Sequence, residues 1–209
     1  MAIAVVFDLD GTLIDSAPDI AASLNRVLVA EGFAPLPADQ VMRMIGDGAK
    51  VLVERGFAAR GRPAGPREQA AFLADYEENA VVLTAPYPGI VAALQRLQAA
   101  GHPLAVCTNK PEAVARMILE GLGLARFFTA VTGGDSTPFR KPDARHLAAT
   151  LALLGVERAA MVGDHDNDMA AARGLGINSI FAAWGYGEAV GTLMADSPGA
   201  LPDLISGLG

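Results

Sequence analysis

The sequence predicts an α/β protein, a Rossmann-like parallel sheet core with an inserted α-helical cap. Three observations carry this. Short apolar runs of strand length recur along the chain, stretches of helical period separate most of them, and residues 16–83 interrupt the alternation with helical patterns only. Strand and helix in alternation imply a parallel sheet covered on both faces, and the interruption implies an insertion between the first strand and the rest. The division is therefore 1–15 and 84–209 for the core and 16–83 for the cap.

The first apolar run, Ile3 to Phe7, reads as a buried strand and ends in Asp8-Leu9-Asp10-Gly11-Thr12. Ser16-Ala17-Pro18-Asp19 has the Ser-x-x-Asp form of a helix start. Helical patterns then follow, separated by Gly and Pro clusters at Phe33 to Pro37 and Gly61 to Pro66. Pro88-Gly89 introduces the stripe Ile90, Val91, Leu94 and Leu97, and Pro111 opens a second stripe of Val114, Met117, Ile118 and Leu122. The remaining strand candidates are Leu104 to Cys107, Ala130 to Thr132, Ala159 to Val162 and Ser179 to Ala182.

Several of these runs end in polar residues of an unusual kind. Besides the Asp8 stretch, the second ends in Thr108-Asn109-Lys110 and the fourth in Gly163-Asp164-His165-Asp166-Asn167-Asp168, and a loop carries Arg140-Lys141-Pro142. In neighbouring parallel strands all of them converge on the carboxyl edge of the sheet, where open α/β sheets bind ligands. Gathered carboxylates repel unless a cation sits among them, and all-oxygen donors suit a hard ion such as magnesium. Lysine, hydroxyl and backbone N–H groups bind anions, so cation and anion donors together describe a phosphoryl site. A carboxylate screened by such cations can itself attack phosphorus.

Phe-Asp-Leu-Asp-Gly-Thr-Leu, Thr108 after an apolar run, Lys141 before Pro142, and Gly163, Asp164 and Asp168 in a Gly-Asp-x-x-x-Asp pattern resemble, in order, the four motifs of the haloacid dehalogenase-like superfamily. Within it, Thr-Asn-Lys-Pro at 108–111, Gly-Asp-Gly at 46–48 with Leu52-Val53, and Trp-Gly-Tyr-Gly at 184–187 look most like the phosphoglycolate phosphatase group. The resemblance implies a magnesium-dependent phosphatase acting on a small phosphomonoester, best 2-phosphoglycolate, through an aspartyl-phosphate. It makes Asp8 the nucleophile and Asp10 the acid and then the base. It places the metal on Asp8, the Asp10 carbonyl and Asp164, and the phosphoryl oxygens on Thr108 and Lys141, with backbone donors near Gly11 and Asn109. Asp168 would orient Lys141. His165-Asp166 inside the fourth motif, and Ala144 after the lysine-proline pair, depart from the pattern without touching these residues.

In the insertion, Gly46, Asp47 and Gly48 are candidates to face the substrate, with the neighbouring Arg43 and Lys50 as cations for a carboxylate-bearing one. A sugar-phosphate phosphatase or phosphomutase would share the four motifs. A phosphate-accepting signalling domain would share the Asp, Thr and Lys, but would leave Asp10 and the insertion unexplained.

Composition narrows the partners. The net charge of -7, from 16 Lys and Arg against 23 Asp and Glu, opposes a nucleic-acid surface. The N-terminal apolar run has no basic segment before it and is broken by Asp8, so neither a signal peptide nor a membrane span is expected. A single cysteine, Cys107, lies within an apolar run and reads as a buried structural thiol. A cytoplasmic protein with a small phosphorylated metabolite as its partner is the resulting expectation.

Overall fold

Six parallel strands form the core sheet of the structure, a computed structural model that describes residues 2–188 and 193–208. The strands are β1 (Ala4–Phe7), β4 (Leu104–Cys107), β5 (Ala130–Thr132), β6 (Ala159–Gly163), β7 (Asn178–Ala182) and β8 (Met194–Ala195), in the spatial order β5-β4-β1-β6-β7-β8. With β1 at the centre, Val6 lies opposite Ala105 on one side and Met161 on the other. That register puts the ends of β1, β4 and β6 side by side.

Alternation along each strand divides the core. Val5, Phe7, Val106 and Val162 face a bulky layer with α5 (Ile90–Ala99), α6 (Glu112–Gly121) and α9 (Leu201–Ser206). Ala4, Val6, Ala105 and Met161 face the other layer, where α7 (Ala144–Leu154) and α8 (Asp166–Leu175) supply Leu147, Leu151, Ala171 and Ala172. The small residues on this second face let the two helices approach the sheet closely. Cys107 is buried there as a free thiol, and burial pushes its pKa up.

Residues 17–79 supply α1 (Ala17–Ala30), α2 (Ala38–Met42), α3 (Ala49–Ala58) and α4 (Pro66–Asn79), with no strand among them. α1 packs on the other three, and α3 on α4. The chain leaves and rejoins the core through a two-stranded antiparallel ribbon, β2 (Ile14–Asp15) with β3 (Ala85–Pro86). The sequence gives no sign of this ribbon or of β8, because two-residue strands carry no period.

The Ser16-x-x-Asp19 pattern corrects one expectation. α1 does begin at Ala17, yet Ser16 makes no side-chain cap bond. Its Oγ instead donates to Asp10 Oδ1 at 2.5 Å, while buried Asp19 accepts the backbone N–H groups of Val82, Leu83 and Thr84 at 2.8–3.1 Å. Both side chains thus fasten the two crossings between the inserted helices and the sheet.

Candidate active site

The turn after β1 is shaped by Gly11, whose φ of 78° belongs to the left-handed region that glycine tolerates best. A Cβ there would fall 2.2 Å from Asp164 Oδ2, so the carboxylate at the end of β6 lies directly against the Gly11 backbone. The Gly11 N–H donates to the Ile14 carbonyl. Gly11 therefore contributes space at the site, and its own amide is committed to the turn.

Asp8 is buried, and both of its contacts fall on one oxygen: Oδ1 accepts from Leu9 N–H at 2.7 Å and pairs with Lys141 Nζ at 2.9 Å. Lys141 Nζ also donates to Asp168 Oδ1 at 2.5 Å, and Asp168 Oδ2 accepts the His165 N–H at 3.1 Å. Burial opposes the Lys141 charge, but Asp168 and Asp8 outweigh it and the net shift is upward. Burial lifts the Asp8 carboxyl above its ordinary range; Lys141 pulls it back, and Asp164 and Asp10 lift it again. For Asp168 the same balance, dominated by burial, gives a pKa of about 7.

Asp164 is fully buried, accepting from Thr12 Oγ at 2.9 Å on Oδ1 and from Tyr186 N–H at 2.8 Å on Oδ2. His165 Nδ1 stands 3.2 Å from Oδ2, and this neighbour raises the imidazole pKa to about 9 against the effect of burial. Asp164, His165 and Asp168 have ligand-type atoms within 4.8 Å of one another, and of these only the Asp168 carboxylate already has its charge met by the Lys141 ammonium. The all-oxygen set of Asp8, Asp164 and the Asp10 carbonyl suits a hard divalent cation, which would offset both the burial of Asp8 and the smaller repulsion from Asp164 and Asp10. These residues fit magnesium.

Asp10 is held on both sides, by Ser16 Oγ on Oδ1 and by Lys110 Nζ at 3.0 Å on Oδ2. Thr108 is buried beside the site, with its Oγ accepting from Lys110 N–H at 3.2 Å. The Asn109 side chain is structural: its Nδ2 donates to the carbonyls of Lys141 and Gly46, and its Oδ1 accepts from Lys141 N–H. Gly46 and Gly48 border a cavity of about 40 Å3 together with Asp8, Asp10, Thr108 and Tyr76. Asp47 does not border it; its carboxylate is taken by Asn167 at 2.7 Å and Arg55 at 2.6 Å, which docks the loop on α8. Arg43 and Lys50 are exposed and face Asp39 and Glu54.

Several residues that the sequence reading named without giving them a role belong to the site. Lys110 is buried between Asp10 and Tyr76, in the very stretch that holds Thr108. Tyr186 accepts from Ser16 and Ala17 N–H and donates to Asp15. Trp184 Nε1 donates to the Thr12 carbonyl, so the 184–187 stretch is a wall of the site. A Cβ on Gly185 would meet Asp164 Cβ at 2.3 Å. The Trp-Gly-Tyr-Gly stretch carries the family resemblance in the sequence, but only the fold shows what it touches.

The sequence pattern of haloacid dehalogenase-like hydrolases matches residues 5–182, which include every one of these strand ends. The chain belongs to that family. Among its relatives is a protein from Caulobacter vibrioides named phosphoglycolate phosphatase, 44% identical over 92% of this chain and 84% of the relative. A solved structure described as a predicted phosphoglycolate phosphatase from Haemophilus somnus 129pt superposes with a TM-score of 0.89 at 29% identity, covering 97% of each chain. Protein Tyrosine Kinase A of Mycobacterium tuberculosis superposes at 0.82 with 31% identity over 98% of each. As a haloacid dehalogenase-like hydrolase with a parallel sheet, the chain is a phosphatase by its family and by its named relatives.

Proposed function

We propose that this enzyme hydrolyses a small phosphomonoester, with 2-phosphoglycolate as its substrate, through an aspartyl-phosphate on Asp8. The single observation that carries the reading is the arrangement of Asp8, whose Oδ1 is engaged by Leu9 N–H and Lys141 while Oδ2 has no hydrogen-bond partner among the described residues. One carboxylate oxygen is thereby oriented for attack. The names of the relatives support the substrate.

In this reading Asp8 Oδ2 attacks phosphorus, and Lys141 and Thr108 hold the phosphoryl oxygens as the ester bond breaks. The Asp10 carboxyl gives its proton to the departing alkoxide, then takes one from the water that releases phosphate. Asp168 keeps Lys141 in place, and Gly11 leaves room for the Asp164 carboxylate. Magnesium, held by Asp8, the Asp10 carbonyl and Asp164, would supply charge neutralisation toward the incoming phosphate.

Residues 16–83 act as a cap over the core of 1–15 and 84–209, hinged at the β2–β3 ribbon, and Gly46 and Gly48 line the cavity it closes. Asp47 holds that loop down and does not touch substrate. No described helix is long and apolar enough to cross a membrane; with the lone buried cysteine this supports a cytoplasmic enzyme. The test is phosphate release from a panel containing 2-phosphoglycolate and several sugar phosphates. The reading expects 2-phosphoglycolate to be preferred and EDTA to abolish turnover until magnesium is restored. Equal rates across the panel would remove the substrate assignment, and full activity in EDTA would remove the metal.

A further inference from the structure

The cations first considered for a carboxylate-bearing substrate, Arg43 and Lys50, lie on the exposed face of the inserted helices. The buried ammonium that borders the cavity comes instead from the core, at Lys110 immediately after β4. Its Nζ stands 3.0 Å from Asp10 Oδ2 and donates to Tyr76 Oη at 3.0 Å, lying 4.5 Å from the centre of the same ring. Lysine is rarely buried to this degree.

We propose that Lys110 and Tyr76 form the leaving-group subsite, reading the carboxylate of a short hydroxy-acid phosphate. This rests on the phosphomonoesterase reading of Asp8 and Asp10. An ammonium has three N–H donors, and Asp10 and Tyr76 use two. Tyr76 accepts from Lys110, so its own O–H hydrogen is also free to donate. The pair therefore offers one charged and one neutral donor to the same anion, next to the acid assigned to the leaving alkoxide. The walls around it, among them Ile45, Leu52, Phe72 and Leu73, are apolar and would leave any other polar group unpaired. Tyr76 belongs to α4 and Lys110 to the core, so the anion would be gripped by both only with the inserted helices seated.

The experiment compares kcat/KM for 2-phosphoglycolate and for ethyl phosphate, which keeps two carbons and replaces the carboxylate by a methyl group, in wild type, Lys110→Met and Tyr76→Phe. Lys110→Met also disturbs Asp10, but that affects both esters alike; the ratio of the two isolates recognition. Losing a charge-assisted hydrogen bond predicts a fall in that ratio of about tenfold to a hundredfold for Lys110→Met, and a smaller fall for Tyr76→Phe. Tyr76→Phe removes only one hydroxyl, and it decides the matter alone if Lys110→Met fails to fold. An unchanged ratio in the folded variants, or a wild type that prefers ethyl phosphate, overturns the subsite and leaves the phosphatase reading standing. A folded, magnesium-supplied wild type that hydrolyses neither ester overturns both.

Discussion

At the residue scale, the site depends on close approaches that single methyl groups would destroy. Gly185→Ala would drive its Cβ into Asp164 and the Gly11 carbonyl. The variant should lose at least about tenfold in kcat/KM, since a displacement of about 1 Å at an oriented site can cost a hundredfold; steady-state kinetics beside a circular-dichroism melt would check this. Lys141→Met would leave Asp8 and Asp168 buried without their shared cation. Breaking a buried ion pair costs about 3–5 kcal/mol, so urea denaturation should show a loss of that order along with lost turnover. A different buried group sets an acid limit. His146, buried on α7 near Lys141, has its pKa pushed down to about 4 by burial first and then by that charge. Below its ordinary value of 6.5 the unfolded chain takes up a proton that the folded chain refuses. Stability therefore falls as pH drops from about 6.5 to about 4, by up to about 1.4 kcal/mol per pH unit. His146→Leu should flatten this limb in denaturation curves measured across the interval; an equally steep limb would assign the acid sensitivity elsewhere.

At the element scale, the end of β1 shows what a sequence reveals and what it hides. An apolar run that stops in Asp8-Leu9-Asp10-Gly11 announces itself, because carboxylates at the tip of a buried strand need a reason. Asp164 is visible by the same logic, whereas Lys141 sits in a loop and is picked out by its resemblance to a family motif. Lys110 was placed at the same edge but given no role, since a lysine after a strand is ordinarily solvated; only the fold brings α4 over it and places Tyr76 against its ammonium. Asp19 was equally hidden behind a familiar pattern, and it clamps the return crossing instead of capping α1. Asp19→Ala should therefore cost at least about 2 kcal/mol, as removal of charge-assisted hydrogen bonds does. Hydrogen exchange should locate the loss at the amides of residues 82–84, whereas a capping role would place it in the first turn of α1.

At the scale of the whole molecule, the parallel sheet and the helical insertion follow from pattern: five of the six core strands are separate apolar runs, and α1–α4 hold the helical period after the first of them. The β2–β3 ribbon and β8 do not, because pairs that short exist only through their partners. Away from the two chain crossings, the insertion meets the core through polar contacts that include Gly46 with Asn109, Asp47 with Asn167, and Tyr76 with Lys110. Asn167→Ala removes one of these away from the reacting groups, and should raise KM more than it lowers kcat by loosening the seated insertion. All of this organisation serves one carboxylate. The most direct measurement is rapid acid quench of the magnesium-supplied enzyme during turnover of labelled 2-phosphoglycolate, followed by peptide mapping. The account predicts label on the peptide containing Asp8, as a base-labile acyl phosphate that forms and decays at the turnover rate and is absent from Asp8→Asn. Label-free enzyme at full turnover, or an Asp8→Asn variant that keeps wild-type activity, would contradict it.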